Sequence, residues 1–170
     1  TQKGVTFTGA VYFGDKRDPT GVGYKGLFLN RTYHGHGTLT YKNGDVYDGE
    51  FQDGERHGHG TLTYKNGNVY DGEYQDGNRH GHGKITYNNG DVYEGAYNRG
   101  QRDGQGKRVY NNGDVYEGAW KDGNKHGRGR MTYPNGGKFE GTFSEGQIVG
   151  EGRYITIKGD VFTGMFRFSD

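Results

Sequence analysis

A 23-residue unit repeats along almost the whole chain, and a fixed period of that length leaves few folds open: each copy must be one supersecondary unit stacked on copies of itself. The clearest copy, Tyr47 to Val69, reads YDGEFQDGERHGHGTLTYKNGNV. Tyr24 to Val46 aligns ahead of it. Tyr70 to Val92, Tyr93 to Val115, Tyr116 to Lys138 and the more diverged Phe139 to Val161 align behind. Residues 24–161 are therefore six tandem repeats. Residues 1–23 read as a degenerate copy: Phe7 and Gly9 match Tyr47 and Gly49 and, past an insertion around Pro19, Gly21 and Gly23 match Gly58 and Gly60. Residues 162–170 read as a half-copy, an edge strand broken off in mid-unit as in an excised piece of a longer array. Function is to be sought on a surface, not in a pocket.

Within a unit the pattern is that of strands. Tyr47, Gly49 and Phe51 share one face at period two, with Asp48 and Glu50 on the other. Gly58, Gly60, Leu62 and Tyr64 form a second series, with His59, Thr61 and Thr63 behind. A polar turn containing Gly54 joins the two, and Lys65-Asn66-Gly67-Asn68 is a hairpin signal. Each unit is thus one antiparallel hairpin, and the chain an all-β, single-layer meander. The expected register sets Phe51 against Gly58, Gly49 against Gly60, Tyr47 against Leu62, Tyr64 against Tyr70, and Tyr74 against Gly60 on its other side. Large rings then cover positions with no side chain, which is why Gly and Tyr rise together. At about 10 Å per repeat the array is expected to run some 60–70 Å as a twisted ribbon.

Composition read alone points elsewhere. Gly 36, 28% hydrophobic residues and a mean hydropathy of -1.12 border on disorder. The net charge of only +1, and Tyr 15 with Phe 9 at fixed places in each unit, argue for order. Aromatic residues bury about 150–250 Å² each, enough to hold a thin sheet. The absence of cysteine excludes disulfide scaffolds and cysteine-ligated zinc and fits a reducing, cytoplasmic setting. No apolar run approaches a membrane span, no secretory leader is evident, and a near-neutral chain gives no reason to expect nucleic acid. The sequon Asn30-Arg31-Thr32 reads as accidental.

The pattern Y-x-G-x-[FYW], then G-x-x-x-HG-x-G, then L-T-Y-x-x-G, kept from Tyr24 to Val161, resembles the MORN repeat. Departures are local: Arg31 stands in the place of Gly54, and Asp103 and Val149 replace the histidine of the HG step. The resemblance implies single-sheet hairpin ribbons of the kind found in cytoskeletal and junctional scaffolds, and beside catalytic domains such as lipid kinases and methyltransferases. It therefore implies a binding or assembly module, with any catalytic partner outside this chain.

Candidate chemistry is sparse. His34 and His36, His57 and His59, and His80 and His82 are H-x-H pairs that could hold a metal, yet further ligands are missing. The expected register sets His59 across from Glu50 and His82 across from Glu73. Where the acid becomes Ala96 or Ala119, the histidine becomes Gln105 or Arg128, which favours cross-strand pairs over a metal site. Leu27, expected opposite His36, breaks that pattern. Asp48, Asp71, Glu94, Glu117 and Glu140 recur in identical surroundings, so nothing separates an acid from a base. Serine occurs only at Ser144 and Ser169, and the Gly-x-Gly steps lie in strands instead of opening helices. The expectation is a non-enzyme without cofactor or metal.

Three surfaces remain for partners. The aromatic stripe of Tyr47, Phe51, Tyr64, Tyr70, Tyr74, Tyr87, Tyr93, Tyr97, Tyr116, Trp120 and Tyr133 is expected to stay partly accessible as a groove for a peptide or helix, with Trp120 the best anchor. Arg56, Arg79, Arg102 and Lys125 recur in one turn and could meet an anionic phospholipid, although Asp53, Glu55, Asp76 and Asp122 share those turns and favour a solvated mixed surface. Ile155, Ile157, Val161 and Met165 turn the charged face apolar at the C-terminal end, where an edge strand invites a second copy. The leading reading is a scaffold that binds protein and self-associates as a homodimer. A peripheral lipid-binding module and an accessory domain of an enzyme are the alternatives.

Overall fold

The computed structural model describes residues 11–17 and 22–167, and every regular element among them is a strand. The chain divides into two compact units, Thr1–Asn78 and Arg79–Asp170. The first holds β1 (Val11–Arg17), β2 (Gly23–Leu29), β3 (Thr32–Thr40), β4 (Val46–Gln52), β5 (Glu55–Thr63) and β6 (Val69–Gln75). The second is built from β7 (Asn78–Thr86), β8 (Val92–Asn98), β9 (Gln101–Val109), β10 (Val115–Lys121), β11 (Asn124–Thr132), β12 (Lys138–Ser144), β13 (Gln147–Ile155) and β14 (Val161–Arg167). In each unit sequential strands pair antiparallel in chain order, the meander that the repeat demands.

Glycine faces glycine across the whole of each unit. Gly26, Gly37, Gly49, Gly60 and Gly72 form one such row, and Gly83, Gly95, Gly106, Gly118, Gly129, Gly141, Gly152 and Gly164 another. The first row begins at Gly14, which pairs with Gly26 and so takes the role expected of Gly23; Gly23 instead pairs with Thr40. Phe7, Gly9, Pro19 and Gly21 of the degenerate copy lie outside the described residues.

The bare backbone of these rows is where the tyrosines lie. A Cβ at Gly49 or Gly60 would overlap the Tyr47 ring, and one at Gly106 the Tyr93 ring. Each ring is tied down by its own hydroxyl, which donates to the carbonyl three residues on: Tyr47 to Glu50 at 3.0 Å, Tyr93 to Ala96 at 3.0 Å, Tyr116 to Ala119 at 2.8 Å. A second layer stands edge-on against the first. Phe51 and Tyr74 both meet Tyr47 at 5.1 Å, and Trp120 meets Tyr93 at 5.0 Å, near-perpendicular in each case. Such T-shaped pairs match ring edge to ring face. One sheet face thus builds a core without a second sheet.

Both kinds of turn are shorter than the pattern suggested. Gln52 pairs with Glu55, leaving a two-residue turn in which Asp53 (φ 51°) and Gly54 (φ 91°) are both left-handed, the type I′ geometry that suits strand twist. Phe51 therefore pairs with Arg56, not with Gly58. The surplus residues of β5 are absorbed in a bulge at Gly58, whose φ of 58° suits glycine. Tyr74 pairs with this Gly58 instead of Gly60. At Arg31 the turn keeps its shape, with Asn30 and Arg31 at φ 50° and 70°. In the second turn Gly67 N–H donates to Tyr64 C=O, and Tyr64 N–H to Asn68 C=O, each at 2.9 Å. Tyr64 thus meets Asn68, two residues short of the Tyr70 expected, and Tyr70 faces Leu62.

Candidate interaction surfaces

The aromatic stripe is not an open groove. Tyr47, Tyr70, Tyr93 and Tyr116 are fully buried, and Phe51, Tyr74 and Tyr97 nearly so. Trp120, the expected anchor, is only 4% exposed and spends its indole N–H on Gly106 C=O at 3.1 Å. The expectation of accessibility took a single layer to be unable to cover its own rings. Two tiers of rings and a lid of cations cover them. Of the eleven stripe residues only Tyr64, Tyr87 and Tyr133 are half-exposed.

That lid is the basic row. The type I′ turn and the bulge swing Arg56 onto the aromatic face, where its guanidinium lies 5.0 Å from the Tyr74 ring and 5.8 Å from Tyr47. Arg79 covers Tyr97 at 5.2 Å; Arg102 covers Trp120 at 4.5 Å and Tyr93 at 5.4 Å. Lys125 sits 5.4 Å from Phe143 and 5.6 Å from Tyr116. Each arginine also reaches the next turn: Arg56 donates to Gly77 C=O at 2.5 Å, Arg79 to Gly100 at 2.9 Å and Arg102 to Gly123 at 2.6 Å. Burial pushes the Lys125 ammonium below its ordinary pKa. The four cations are half-buried structural parts, not the solvated turn charges expected of them.

On the polar face the histidines take partners other than those expected. Bulges carry β3 and β5 out of the simple register, at Gly35 and Gly58, so His36 faces Glu50 and His59 faces Glu73, while His82 on β7 faces Ala96. Leu27 faces His34. The nearest acids lie diagonally: His59 Nε2 is 3.0 Å from Asp71, and His36 Nε2 is 3.7 Å from Asp48. Among the described residues no three metal-ligating side chains of this kind converge.

The recurring carboxylates have different neighbours in the two units. In the first, Asp48 lies between Thr38 and Thr61, and Asp71 faces Thr61. In the second, charge alternates strand by strand: Lys84, Glu94, Lys107, Glu117, Arg130, Glu140 and Arg153 face one another in succession. Glu140 accepts from Arg153 Nε at 2.8 Å and from Arg130 Nε at 3.0 Å, bonds that hold its carboxyl below the ordinary range. A groove of about 960 Å³ over this ladder is lined by Glu117, Arg128, Arg130, Glu140, Glu151 and Arg153, with no nucleophile but the hydroxyls of Thr142 and Thr163.

Sequence reasoning passed over two features. Arg108 occupies the position held by Leu39, Leu62, Ile85 and Met131 in other repeats, and donates to Asp91, which is 5% exposed, at 2.6 Å. Burial would raise the Asp91 carboxyl; the Arg108 bond and the Asn111 N–H at 2.8 Å outweigh it and hold it low. An arginine at an apolar period position was the available signal. The second is Phe162, aligned with Tyr47 and its equivalents. Those are buried, whereas Phe162 is 59% exposed on β14, beside Val161 at 53% and Met165 at 62%; Ile157 in the preceding turn is also exposed and Ile155 half-buried. Gly164, the last of its row, has no atom near where a Cβ would stand.

A single-layer antiparallel sheet of 23-residue hairpins, with rings laid on glycine rows, defines a repeat protein of the scaffold type. The MORN repeat model matches residues 24–46, 47–69, 70–92, 93–115, 116–138 and 139–161, and the chain belongs to the MORN-repeat family. A sequence comparison with curated proteins gives no match. Among solved structures, the SAS-4 (dCPAP) TCP domain of Drosophila melanogaster, in complex with a proline-rich motif of Ana2 (dSTIL), superposes with a TM-score of 0.52 at 12% identity, covering 96% of this chain and 97% of that one. The TCP10 domain of Danio rerio CPAP, in complex with a peptide of Danio rerio STIL, covers 91% of this chain and 83% of that one at 14% identity and a TM-score of 0.36. At 12% identity the likeness to the Drosophila domain is one of fold alone. No helix among the described residues is long and apolar enough to cross a membrane, which leaves strand-built membrane proteins unaddressed.

Proposed function

We propose that this protein is a non-catalytic, cytoskeleton-associated scaffold that engages protein partners through the C-terminal edge of its second unit, and that self-association through Ile155, Ile157, Val161 and Met165 is one use of that edge. The observation that carries this reading is β14: the aromatic face is sealed elsewhere, while here an edge strand presents Phe162 on one face and Val161 and Met165 on the other. A strand edge with apolar side chains on both faces pairs readily with another chain. The Drosophila TCP domain, a sheet of like fold, was solved with a proline-rich motif of another protein bound, which supports a peptide-binding role.

Light scattering with circular dichroism tests it. The wild-type chain is expected to show a concentration-dependent dimer, and Ile155→Glu with Met165→Glu to give monomers with an unchanged β spectrum. A chain monomeric at high micromolar concentration that also captures no extended peptide would remove the proposal.

A further inference from the structure

In the second unit the aromatic face stays half-open at its hairpin ends, where Tyr87, Tyr110 and Tyr133 follow β7, β9 and β11. Their main chains are pinned alike. Each N–H donates across the turn, Tyr87 to Asp91 at 2.8 Å, Tyr110 to Asp114 and Tyr133 to Gly137 at 2.9 Å, and each C=O accepts from a turn glycine. The hydroxyls of Tyr93 and Tyr116 are spent on carbonyls, whereas these three bond nothing among the described residues. The result is a row of fixed rings, each with a donor to offer. Consecutive rings are one hairpin apart, two strand spacings or about 10 Å. A polyproline II chain turns once every three residues, about 9.3 Å, and leaves its carbonyls unbonded. Such a chain laid along the row presents the same side to each successive gap.

Asp114 sets one of these gaps apart. The equivalent acid one repeat earlier, Asp91, has two partners from the following repeat. One is Arg108, whose guanidinium also lies 5.6 Å from the Tyr87 ring and 4.5 Å from Tyr110; the other is the Asn111 N–H. One repeat on, Met131 stands in the place of Arg108, and Pro134, which has no N–H, in the place of Asn111. The Pro134 ring lies 3.1 Å from where a Cβ of Gly113 would stand. The Asp114 carboxylate is left half-exposed, bonded to Asn112 of its own turn at 2.9 Å and in no ion pair among the described residues. Burial, and after it the Asp114 charge, raises the Tyr133 hydroxyl above its ordinary pKa. Two rings and a methionine thus stand beside an acid that the chain does not neutralise.

We infer that the gap between Tyr110 and Tyr133 is a docking site for an arginine-bearing, proline-rich segment of a partner polypeptide, with prolines against the two rings and the guanidinium on Asp114. Rings at this spacing select the stiff polyproline II form, and the carboxylate selects the cation and fixes where along the row it sits. Arg108 shows the same combination inside the chain, a guanidinium between two rings and bonded to an acid. A second copy of this chain does not fit the site, because its two prolines, Pro19 and Pro134, form no such segment. The site is built without β14 and does not rest on the reading of that edge.

The probe is the capped peptide PPPRPPPPPP, titrated into the intact chain and followed by the Met131 methyl and the tyrosine ring signals. Movement of the Met131, Tyr110 and Tyr133 signals is expected. Binding about tenfold weaker or worse is expected for PPPEPPPPPP, for the flexible GSGRGSGSGS and for an Asp114→Asn chain. Met131→Arg with Pro134→Asn gives Asp114 the partners that Asp91 has. That chain is expected to keep its β circular dichroism and to lose the peptide. Equal binding of the arginine and glutamate peptides overturns the inference, as does equal binding of the flexible peptide or by the Asp114→Asn chain. Signals that move only at Phe162 and Met165 overturn it too, while leaving the β14 edge as a contact surface. So does a wild-type chain that binds no peptide.

Discussion

At the scale of single residues the repeat is informative because each position has internal controls. Asp91 and Arg108 correspond to Asn68 and Ile85 one repeat earlier, so the ion pair sits where a neutral pair also serves. Removing one partner of a buried pair strands a charge, whereas replacing both leaves none. Arg108→Ile alone is therefore expected to cost about 3 kcal/mol in urea unfolding, and Asp91→Asn with Arg108→Ile to recover all but about 1 kcal/mol of it. The sign with pH follows from the lowered carboxyl. Asp91 contributes stability while ionised, in full above the ordinary value of 3.8, and loses it as pH falls through its lower folded value. The wild type is thus expected to weaken more steeply below that pH than the double variant. Trp120 teaches the reverse lesson about legibility. Its period placed it on the aromatic face, but not at 4% exposure, because alternation gives the face of a residue and not what lies above it.

At the scale of the element, strands, order and faces were legible from period two and turn chemistry, and the pairings Gly49–Gly60 and Tyr47–Leu62 emerged as expected. What escaped was the bulge at Gly58. A two-residue turn and a two-residue surplus on β5 cancel in the count, so Tyr47–Leu62 and Gly49–Gly60 are unmoved while the partners from Phe51 to the turn shift. This redirected Arg56 from solvent to the rings and gave His59 to Glu73 and Asp71 instead of Glu50. The glycine rows yield a prediction of opposite outcomes from one substitution. At Gly106 a Cβ would overlap a Tyr93 ring hemmed in by Trp120 and Tyr97, so Gly106→Ala is expected to cost about 1–3 kcal/mol through overpacking. At Gly164 the same methyl meets nothing, and Gly164→Ala is expected to lie within about 0.5 kcal/mol of wild type. Thermal melts of the two variants side by side decide whether ring-over-glycine contact, and not strand propensity, fixes where glycine must stand.

At the scale of the whole molecule, both units draw their stability from the same buried phenols, and this makes the chain sensitive to base. Burial raises the hydroxyls of Tyr24, Tyr93 and Tyr116 from 10.0 to about 12, and those of Tyr47 and Tyr74 higher still. Nearby Arg56 and Arg102 oppose the rise at Tyr47, Tyr74 and Tyr93 without cancelling it. The unfolded chain therefore releases these protons at lower pH than the folded one. Stability is fully present below pH 10 and is lost as pH climbs through 12, with several tyrosines acting together. A phenolate would also lose the bond its hydroxyl donates to the carbonyl three residues on, as from Tyr116 to Ala119. Absorbance at the phenolate band and β circular dichroism, recorded together against pH, are expected to change in a single steep transition above pH 10. Phenolate appearing gradually near pH 10 while the β signal persists would mean that the rings are reachable, which would return the aromatic face to the list of partner surfaces and remove the reason for placing recognition at β14.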